Sequence, residues 1–485
     1  MNRRTAIGAI AFGGAAALVT ARFAIISGRA DTKPAITVPR FHLPFKIPPV
    51  LEPIKHNNTH DEYEIIQREA ELEIIPGHLT KIWGYEGLYP GPTLRVRQDR
   101  TAIIRHTNHL STHTVVHLHG GRTPAESDGF ATDMVAPGES RTYTYPNRQR
   151  AATLWYHDHA MDSTGENIYR GLAGFYIIED EEELALPLPK DQFDVPMILQ
   201  DRTFNSDGSL HYDTNGHIGF EGNVMMVNGV PWPRMDVSTR KYRFRILNGS
   251  NARLFNLTLS NGAPFTVVGT DGGLLPEPVI TKTLPLAMAE RADVVVDFSQ
   301  LPVGTTLFLL NTREKPDLAQ LMRFDVLTRE PDDSIVPPRL SDPGFLGRLT
   351  SANTRTWTLR ASFSFREGPP PIMWTINGRR FDPDRSDAKV PLGETEVWRF
   401  RNEAGLRFFG RPHPAHVHLG HFQILERNGK SPLPHEKGWK DTVALEGGEE
   451  ALVLIRFEQF RGRYMLHCHN LEHEDHAMMT RFDVI

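Results

Sequence analysis

The sequence predicts an all-β protein made of three consecutive copies of one β-sandwich domain, and three observations carry that expectation. The chain has 485 residues, which at roughly 150 residues per domain is about three domains. Its 36 Pro and 39 Gly punctuate it too often for long helices and favour many short strands. Strand-like segments ending in Asn recur, at Thr101–Asn108 and at 242–248 and 397–402, closing on Asn108, Asn248 and Asn402. A period of about 150 residues marks whole domains and is far too long for a solenoid. With 39% hydrophobic, 23% charged and 9% aromatic residues, each third can fill a core, and neither disorder nor a multi-span membrane protein fits. Lys plus Arg is 54 against Asp plus Glu 59, a net charge of −5, which leaves no surplus of positive charge for binding phosphates and disfavours nucleic acid.

Residues 1–30 have the layout of an export signal. Arg3 and Arg4 precede an apolar Ala/Gly-rich run from Ala6 to Ala21, and small residues around Ser27 to Asp31 offer a cleavage point. The adjacent arginines suggest the twin-arginine route and a periplasmic or extracellular mature protein. The alternative is an uncleaved anchor, since the run is close to the minimum bilayer span, although Arg22 interrupts it. No stable membrane association is expected after cleavage.

The first domain spans 31–180, with a turn at Gly91-Pro92-Thr93 and β-rich residues Phe175 to Ile178. Acidic residues from Glu179 to Lys190 separate it from the second, 190–330, with its turn at Asn228-Gly229-Val230 and its run Leu307 to Leu310. A Pro-rich stretch, Glu330 to about Ser351, leads into the third, 350–485, with Asn377-Gly378-Arg379 and the run Leu452 to Phe457. Period two between turns indicates sandwiches. Aligned near their ends, copy one has Leu154-Trp155-Tyr156-His157-Asp158-His159 and copy three Tyr464-Met465-Leu466-His467-Cys468-His469, whereas copy two has Gly304-Thr305-Thr306-Leu307-Phe308-Leu309. The middle copy lacks histidine there. The chemistry is therefore expected where domains one and three meet, with the middle domain a spacer and wall.

The residues that carry chemistry form four clusters: His117-Leu118-His119; His157-Asp158-His159; His413, His416 and His418; and His467-Cys468-His469 with His473 and Met478. Random placement of 22 His would give about one His-x-His, and there are four. Residues two apart on a strand share a face, about 6.6 Å apart, so each pair aims two imidazoles at one spot. Cys468, the single cysteine, lies between two of these histidines and so faces the other way, toward a different metal. A thiolate, two imidazoles and a weak axial thioether make a blue copper site, supplied by His413, Cys468, His473 and Met478, with Met479 the competing thioether. The remaining eight histidines suit a three-copper cluster holding two, three and three imidazoles. Zinc could sit among them but has no redox use for the thiolate. The Cys468 backbone is a short covalent path to His467 and His469.

These clusters resemble the copper motifs of multicopper oxidases. The strings around them, Thr114 to Gly121, Leu154 to Met161 and His467 to His476, are similar to those of bacterial spore-coat laccases and bilirubin oxidases, and the similarity continues through Lys241 to Arg245 and Thr270 to Leu275. The resemblance implies three cupredoxin-like Greek-key domains and an enzyme that takes electrons singly from a reducing substrate and delivers four to dioxygen, giving water. It implies four copper ions, one type 1, one type 2 and two type 3. His117 and His416 would bind the type 2 ion, and His119, His157, His159, His418, His467 and His469 the type 3 pair. Because every ligand position is filled, the copper-free relatives with structural roles in cell division are disfavoured.

Reducing dioxygen consumes protons, and carboxylates are the natural relays. Glu474 and Asp128 match acids given that role in similar laccases; the alternative for each is a surface or turn carboxylate. Asp158 is expected to face away, Asp441 is given no catalytic role, and His421, His435 and His476 stay outside the ligand set. The expected activity is a laccase-like oxidation of phenols, aromatic amines or dyes, with dioxygen as partner. A cuprous-ion oxidase for copper tolerance is the alternative, lowered because the 13 Met are scattered and form no Met-rich insert. Bilirubin oxidation is chemically near. A blue-copper electron carrier is the reading from another class, and eight further imidazoles argue against it.

Overall fold

The computed structural model describes residues 35–342, 344, 354–363, 372–403 and 412–485; the expected export signal, 1–30, lies outside them. The described chain is all-β, and its sheets fall into three pairs with one shared wiring. In each first sheet an opening strand runs parallel to the Asn-ending strand, and a third lies antiparallel to the latter. These are His60–Ile75, Thr101–Asn108 and Ser140–Tyr145; then Asp194–Phe204, Lys241–Asn248 and Arg291–Asp297; then Thr354–Phe363, Thr395–Glu403 and Glu450–Arg456. In each second sheet the last strand of the domain pairs antiparallel with the strand before it. That strand pairs in turn with a shorter inner one: Ala152–Asp158 with Val116–His119, Thr306–Asn311 with Phe255–Leu259, and Gly462–Cys468 with His413–Val417.

The recurring asparagines have a physical reason. Each ends its strand inside the sandwich, where its side chain replaces the hydrogen bonds the ladder no longer supplies. Asn108 Nδ2 donates to Thr112 O (2.8 Å) and Val135 O (3.0 Å), Asn248 Nδ2 to Arg253 O (2.8 Å) and Leu286 O (3.0 Å), and Asn402 Nδ2 to Leu445 O (2.9 Å). In the first two, Oδ1 accepts the backbone N–H two residues on. Replacing Asn248 by Ala should destabilise the middle domain by about 1–3 kcal/mol for each buried group left unpaired. The check is the denaturant midpoint of the purified protein, which should fall without loss of copper; an unchanged midpoint would show that the cap contributes nothing.

One expected correspondence shifts. The turn that follows the hairpin strand is Asn228-Gly229 (φ 47° and 75°) in copy two and Asn377-Gly378 (φ 51° and 73°) in copy three. Its counterpart in copy one, after the strand His78–Tyr85, is Glu86-Gly87 (φ 56° and 66°), not the Gly91 segment. Positive φ at both positions is what such a tight turn requires, and Glu in place of Asn hid it.

The strand Ala173–Glu179 is buried on both faces, where a simple sandwich strand would alternate. Tyr176 and Ile178 join the first domain's core. Phe175 and Ile177 point the other way and pack with Trp155 against Ile198, Leu247 and Ala289 of the middle domain and Leu471 of the third. This apolar seam holds the domains together. Among the described residues no helix is long and apolar enough to cross a membrane.

Candidate metal centre

Cross-strand register builds the site. Ala415 lies opposite Cys468 and His416 opposite His467, and opposite residues in an antiparallel pair share a face. His413, two residues from Ala415, therefore lies on the Cys468 face, while His416, His418 and His467 lie on the other. His413 Nδ1 is 3.4 Å from Cys468 Sγ, His473 Nδ1 is 3.6 Å from it, and the two Nδ1 atoms are 3.2 Å apart. Three donors about 2.1 Å from one metal in a trigonal plane would stand about 3.6 Å apart, so the triangle is the size of one metal's ligand shell. Cys468, His413 and His473 are buried. Burial pushes the thiol up and leaves His413 at about 3, hence neutral.

His473 is placed from both sides. It sits in the short helix Leu471–Asp475, whose N-cap Asn470 accepts from the His473 backbone N–H. Its Nε2 donates to Ile218 O of the middle domain (3.1 Å), which leaves the Nδ1 lone pair for the triangle. Trp374 stacks on its ring at 3.7 Å. Met478 belongs to the same hydrophobic cluster as Cys468, and its carbonyl accepts the Cys468 N–H (3.1 Å). Met479 points into another cluster, with Phe130 and Phe381.

On the opposite face the other eight histidines meet across the seam between first and third domains, every one at most 1% exposed. His117 lies opposite His157 in register. His117 stacks on His418 at 3.7 Å and His119 on His416 at 3.6 Å. Nε2 atoms approach in pairs: His117 to His416 at 3.4 Å, His159 to His467 at 3.3 Å, and His418 to His467 at 3.1 Å.

These approaches fit a site that holds cations. His117 Nδ1 donates to Asp128 O (2.5 Å) and His416 Nδ1 to Asp441 O (2.9 Å). A neutral imidazole has one N–H, so both facing Nε2 atoms carry lone pairs and repel at 3.4 Å unless a cation lies between them. Burial keeps these rings neutral, holding both far below the ordinary imidazole range. His119 Nδ1, His157 Nε2 and both nitrogens of His469 are buried without a hydrogen-bond partner, which fits donor atoms of a metal site. Within the nest and the triangle, the trios His117, His119 and His157; His117, His416 and His418; His159, His418 and His467; and His413, Cys468 and His473 each bring donor atoms within 4.8 Å of one another.

Profiles described as "Multicopper oxidase" match residues 68–183, 172–323 and 351–485. The chain belongs to the multicopper oxidase family. It is 36% identical to the laccase of Bacillus subtilis, over 93% of this chain and 99% of that protein. It is 39% identical to the bilirubin oxidase of Albifimbria verrucaria, over 92% of this chain and 81% of that one. Among solved structures, the laccase of Pediococcus acidilactici superposes with TM-score 0.86 at 30% identity, covering 94% of this chain and 96% of that chain. The McoA multicopper oxidase of Aquifex aeolicus gives 0.82 at 31%, covering 93% and 100%. The protein is a copper oxidoreductase.

In this multicopper oxidase neither expected relay acid is on the surface. Asp128, just after the turn Ala125–Ser127, is buried, and its Oδ2 accepts from His418 Nδ1 (2.7 Å). Burial raises its pKa well above the usual carboxylate range. Glu474 Oε2 is 3.1 Å from His467 Nδ1 and Oε1 is 3.5 Å from His159 Nδ1, yet neither oxygen has an aligned donor. Burial pushes the Glu474 carboxyl up; the facing imidazoles outweigh it and leave it at about 2. Asp158 turns away from the nest and accepts from Val115 N (3.0 Å), Ala160 N (3.0 Å) and Asn167 Nδ2 (2.7 Å). His421 donates to Gly120 O (2.9 Å), His435 lines a cavity of about 280 Å³, and His476 stacks on His217 at 4.3 Å.

Sequence reasoning missed three contributors. The Ile218 carbonyl and Trp374 had no local signal. Asp441, given no catalytic role from the sequence, accepts from His119 Nε2 through Oδ1 (3.0 Å); its burial beside Lys440 is visible only in the structure.

Proposed function

We propose that this enzyme is a laccase-like oxidase with four copper ions, one in the His413, Cys468 and His473 triangle and three in the histidine nest. The observation that carries the reading is that one strand end, His467-Cys468-His469, supplies a thiolate to one face and two imidazoles to the other. Met478 would supply a thioether to the first site. His117 and His416 would hold the type 2 ion, and the other six nest histidines the type 3 pair. When bound, copper supplies one-electron redox steps and a place for dioxygen to be reduced.

The chain's own residues organise those steps. Cys468 offers the shortest covalent route from the reductant side to His467 and His469, and Trp374 and the Ile218 carbonyl keep His473 in the triangle. Burial of the eight nest rings excludes bulk water, so protons have to arrive through built-in groups. Glu474, with both oxygens open toward His159 and His467, is one; the Asp128 carboxyl beside His418 is the other. The small-molecule reductant is a phenol, an aromatic amine or a similar dye.

The test is the visible spectrum, the copper content and the oxygen uptake of the purified protein with a phenol, a dye and cuprous ion. A blue band, four coppers and oxygen consumed with phenol or dye support the reading. Preference for cuprous ion moves it to copper tolerance, and one copper with no oxygen uptake overturns it. Residues 1–30 direct export in the same proposal. Arg3→Lys with Arg4→Lys should keep the protein in the cytoplasm, as fractionation would show; unchanged export would remove the twin-arginine route.

A further inference from the structure

The middle domain contributes no histidine to the nest, yet one of its side chains reaches the layer directly behind it. Arg291 opens the strand Arg291–Asp297, which pairs with Lys241–Asn248 at the centre of the middle domain's large sheet. Its guanidinium is fully buried and every N–H is used. Nε donates to Thr153 O of the first domain (2.9 Å), Nη1 to Ala289 O (2.9 Å) and Asp441 Oδ1 (2.9 Å), and Nη2 to Asp271 O (3.2 Å) and Asp441 Oδ2. A planar fork of five donors matches a carboxylate in this two-point way, and Lys could not. Arg291 thus ties the third domain's Asp441 to the other two domains.

Asp441 in turn accepts from two nest histidines, through a different ring nitrogen of each. Its Oδ1 accepts from His119 Nε2 (3.0 Å), with Thr442 Oγ1 also donating to it (2.8 Å). Its carbonyl accepts from His416 Nδ1 (2.9 Å). The two rings stack at 3.6 Å, inclined by 14°. Since a neutral imidazole has one N–H, committing Nε2–H of His119 turns its Nδ1 lone pair inward, and committing Nδ1–H of His416 turns its Nε2 inward. His119 Nδ1 is buried with no hydrogen-bond partner. His117, on the same short strand, commits Nδ1 instead.

We propose that Arg291 and Asp441 form a positioning pair through which the middle domain, which supplies no nest histidine, selects the nitrogen that His119 presents to the nest. Arg291 occupies the outer lone pairs of the carboxylate and fixes its plane, so that one oxygen is left facing His119 as an acceptor. The inference rests on His119 being a copper ligand, as proposed above.

Asp441→Asn tests it, because an amide can turn its NH2 toward His119 Nε2, reversing that hydrogen bond and moving the ring proton to Nδ1. Copper content should fall below the wild-type value, and oxygen uptake should drop by about 10–100-fold, the usual effect of losing a partner behind a metal-bound histidine. The blue absorption per chain should stay, and the paramagnetic resonance signal of the non-blue copper should change. Arg291→Lys, which keeps the charge and loses the fork, should move the same readouts in the same direction, and serves if Asp441→Asn folds poorly. Asp293→Asn is the matched control. Asp293 lies two residues on along the same strand and accepts from Thr153 Oγ1 of the first domain (2.8 Å) and from Arg243 Nη2 (2.5 Å), so it belongs to the same seam but bonds to neither Arg291, Asp441 nor a nest histidine, and its copper and resonance signal should match wild type. Full copper with an unchanged signal in both Asp441→Asn and Arg291→Lys overturns the pair, as does an equal loss in Asp293→Asn, which would make the effect one of seam packing. A wild-type protein holding one copper overturns the ligand reading itself, a result visible before any variant is made.

Discussion

Cys468→Ser is expected to remove the blue absorption and to bring oxidation of every organic reductant to background. The loss should exceed the about 10–100-fold that removing a partner behind a metal ligand costs, because the thiolate is both ligand and electron path. The geometry makes the expectation specific. Sγ completes a triangle with His413 Nδ1 at 3.4 Å and His473 Nδ1 at 3.6 Å, while His467 and His469 on either side belong to the opposite face. The eight-histidine nest should therefore survive, and copper analysis should show loss of about one ion per chain, the share of a single three-ligand site. His413→Ala should behave alike. A Cys468→Ser protein that stayed blue would overturn the assignment of the triangle.

Glu474→Gln should leave the blue band intact and slow turnover by about 10²–10⁴-fold, the range for losing a positioned proton-transfer group. The amide has nearly the carboxylate's shape but cannot carry a proton between His159 and His467, whose Nδ1 atoms stand 3.5 and 3.1 Å from its two oxygens. Rapid mixing separates the half-reactions. Reduction by a phenol should proceed at the wild-type rate, and reoxidation by dioxygen should become slow. Unchanged turnover across the pH range would remove Glu474 as a relay and leave Asp128 to carry that role.

Much of the site was legible because its logic is local. Period two in an extended strand puts His467 and Cys468 on opposite faces whatever the rest of the chain does, and the structure places them so. The three-copy reading rested on Asn108, Asn248 and Asn402, and each caps its strand end inside a sandwich. The turn of copy one escaped because Glu86-Gly87 takes the φ values that Asn-Gly takes in the other copies, a conformation Gly marks and Glu does not. Phe175 and Ile177 read as ordinary strand residues, since nothing local says that a second domain covers them.

The sequence by itself determined the donor types, their grouping into a thiolate set and an imidazole set, the absence of donors from the middle copy and the all-β class, since all of these follow from residue identity and strand period. Only the tertiary structure decided which histidines of the first domain meet which of the third, as in His117 with His416, because register across a domain seam is set by packing some 300 residues away in sequence. It also decided which ring nitrogen faces inward. That choice depends on a hydrogen bond to the other nitrogen, supplied by the Ile218 carbonyl for His473 and by Asp441, held in place by Arg291, for His119. An imidazole is chemically symmetric enough to bind metal through either atom, so no pattern in the chain could express the choice, and the fold makes it by where it puts one acceptor.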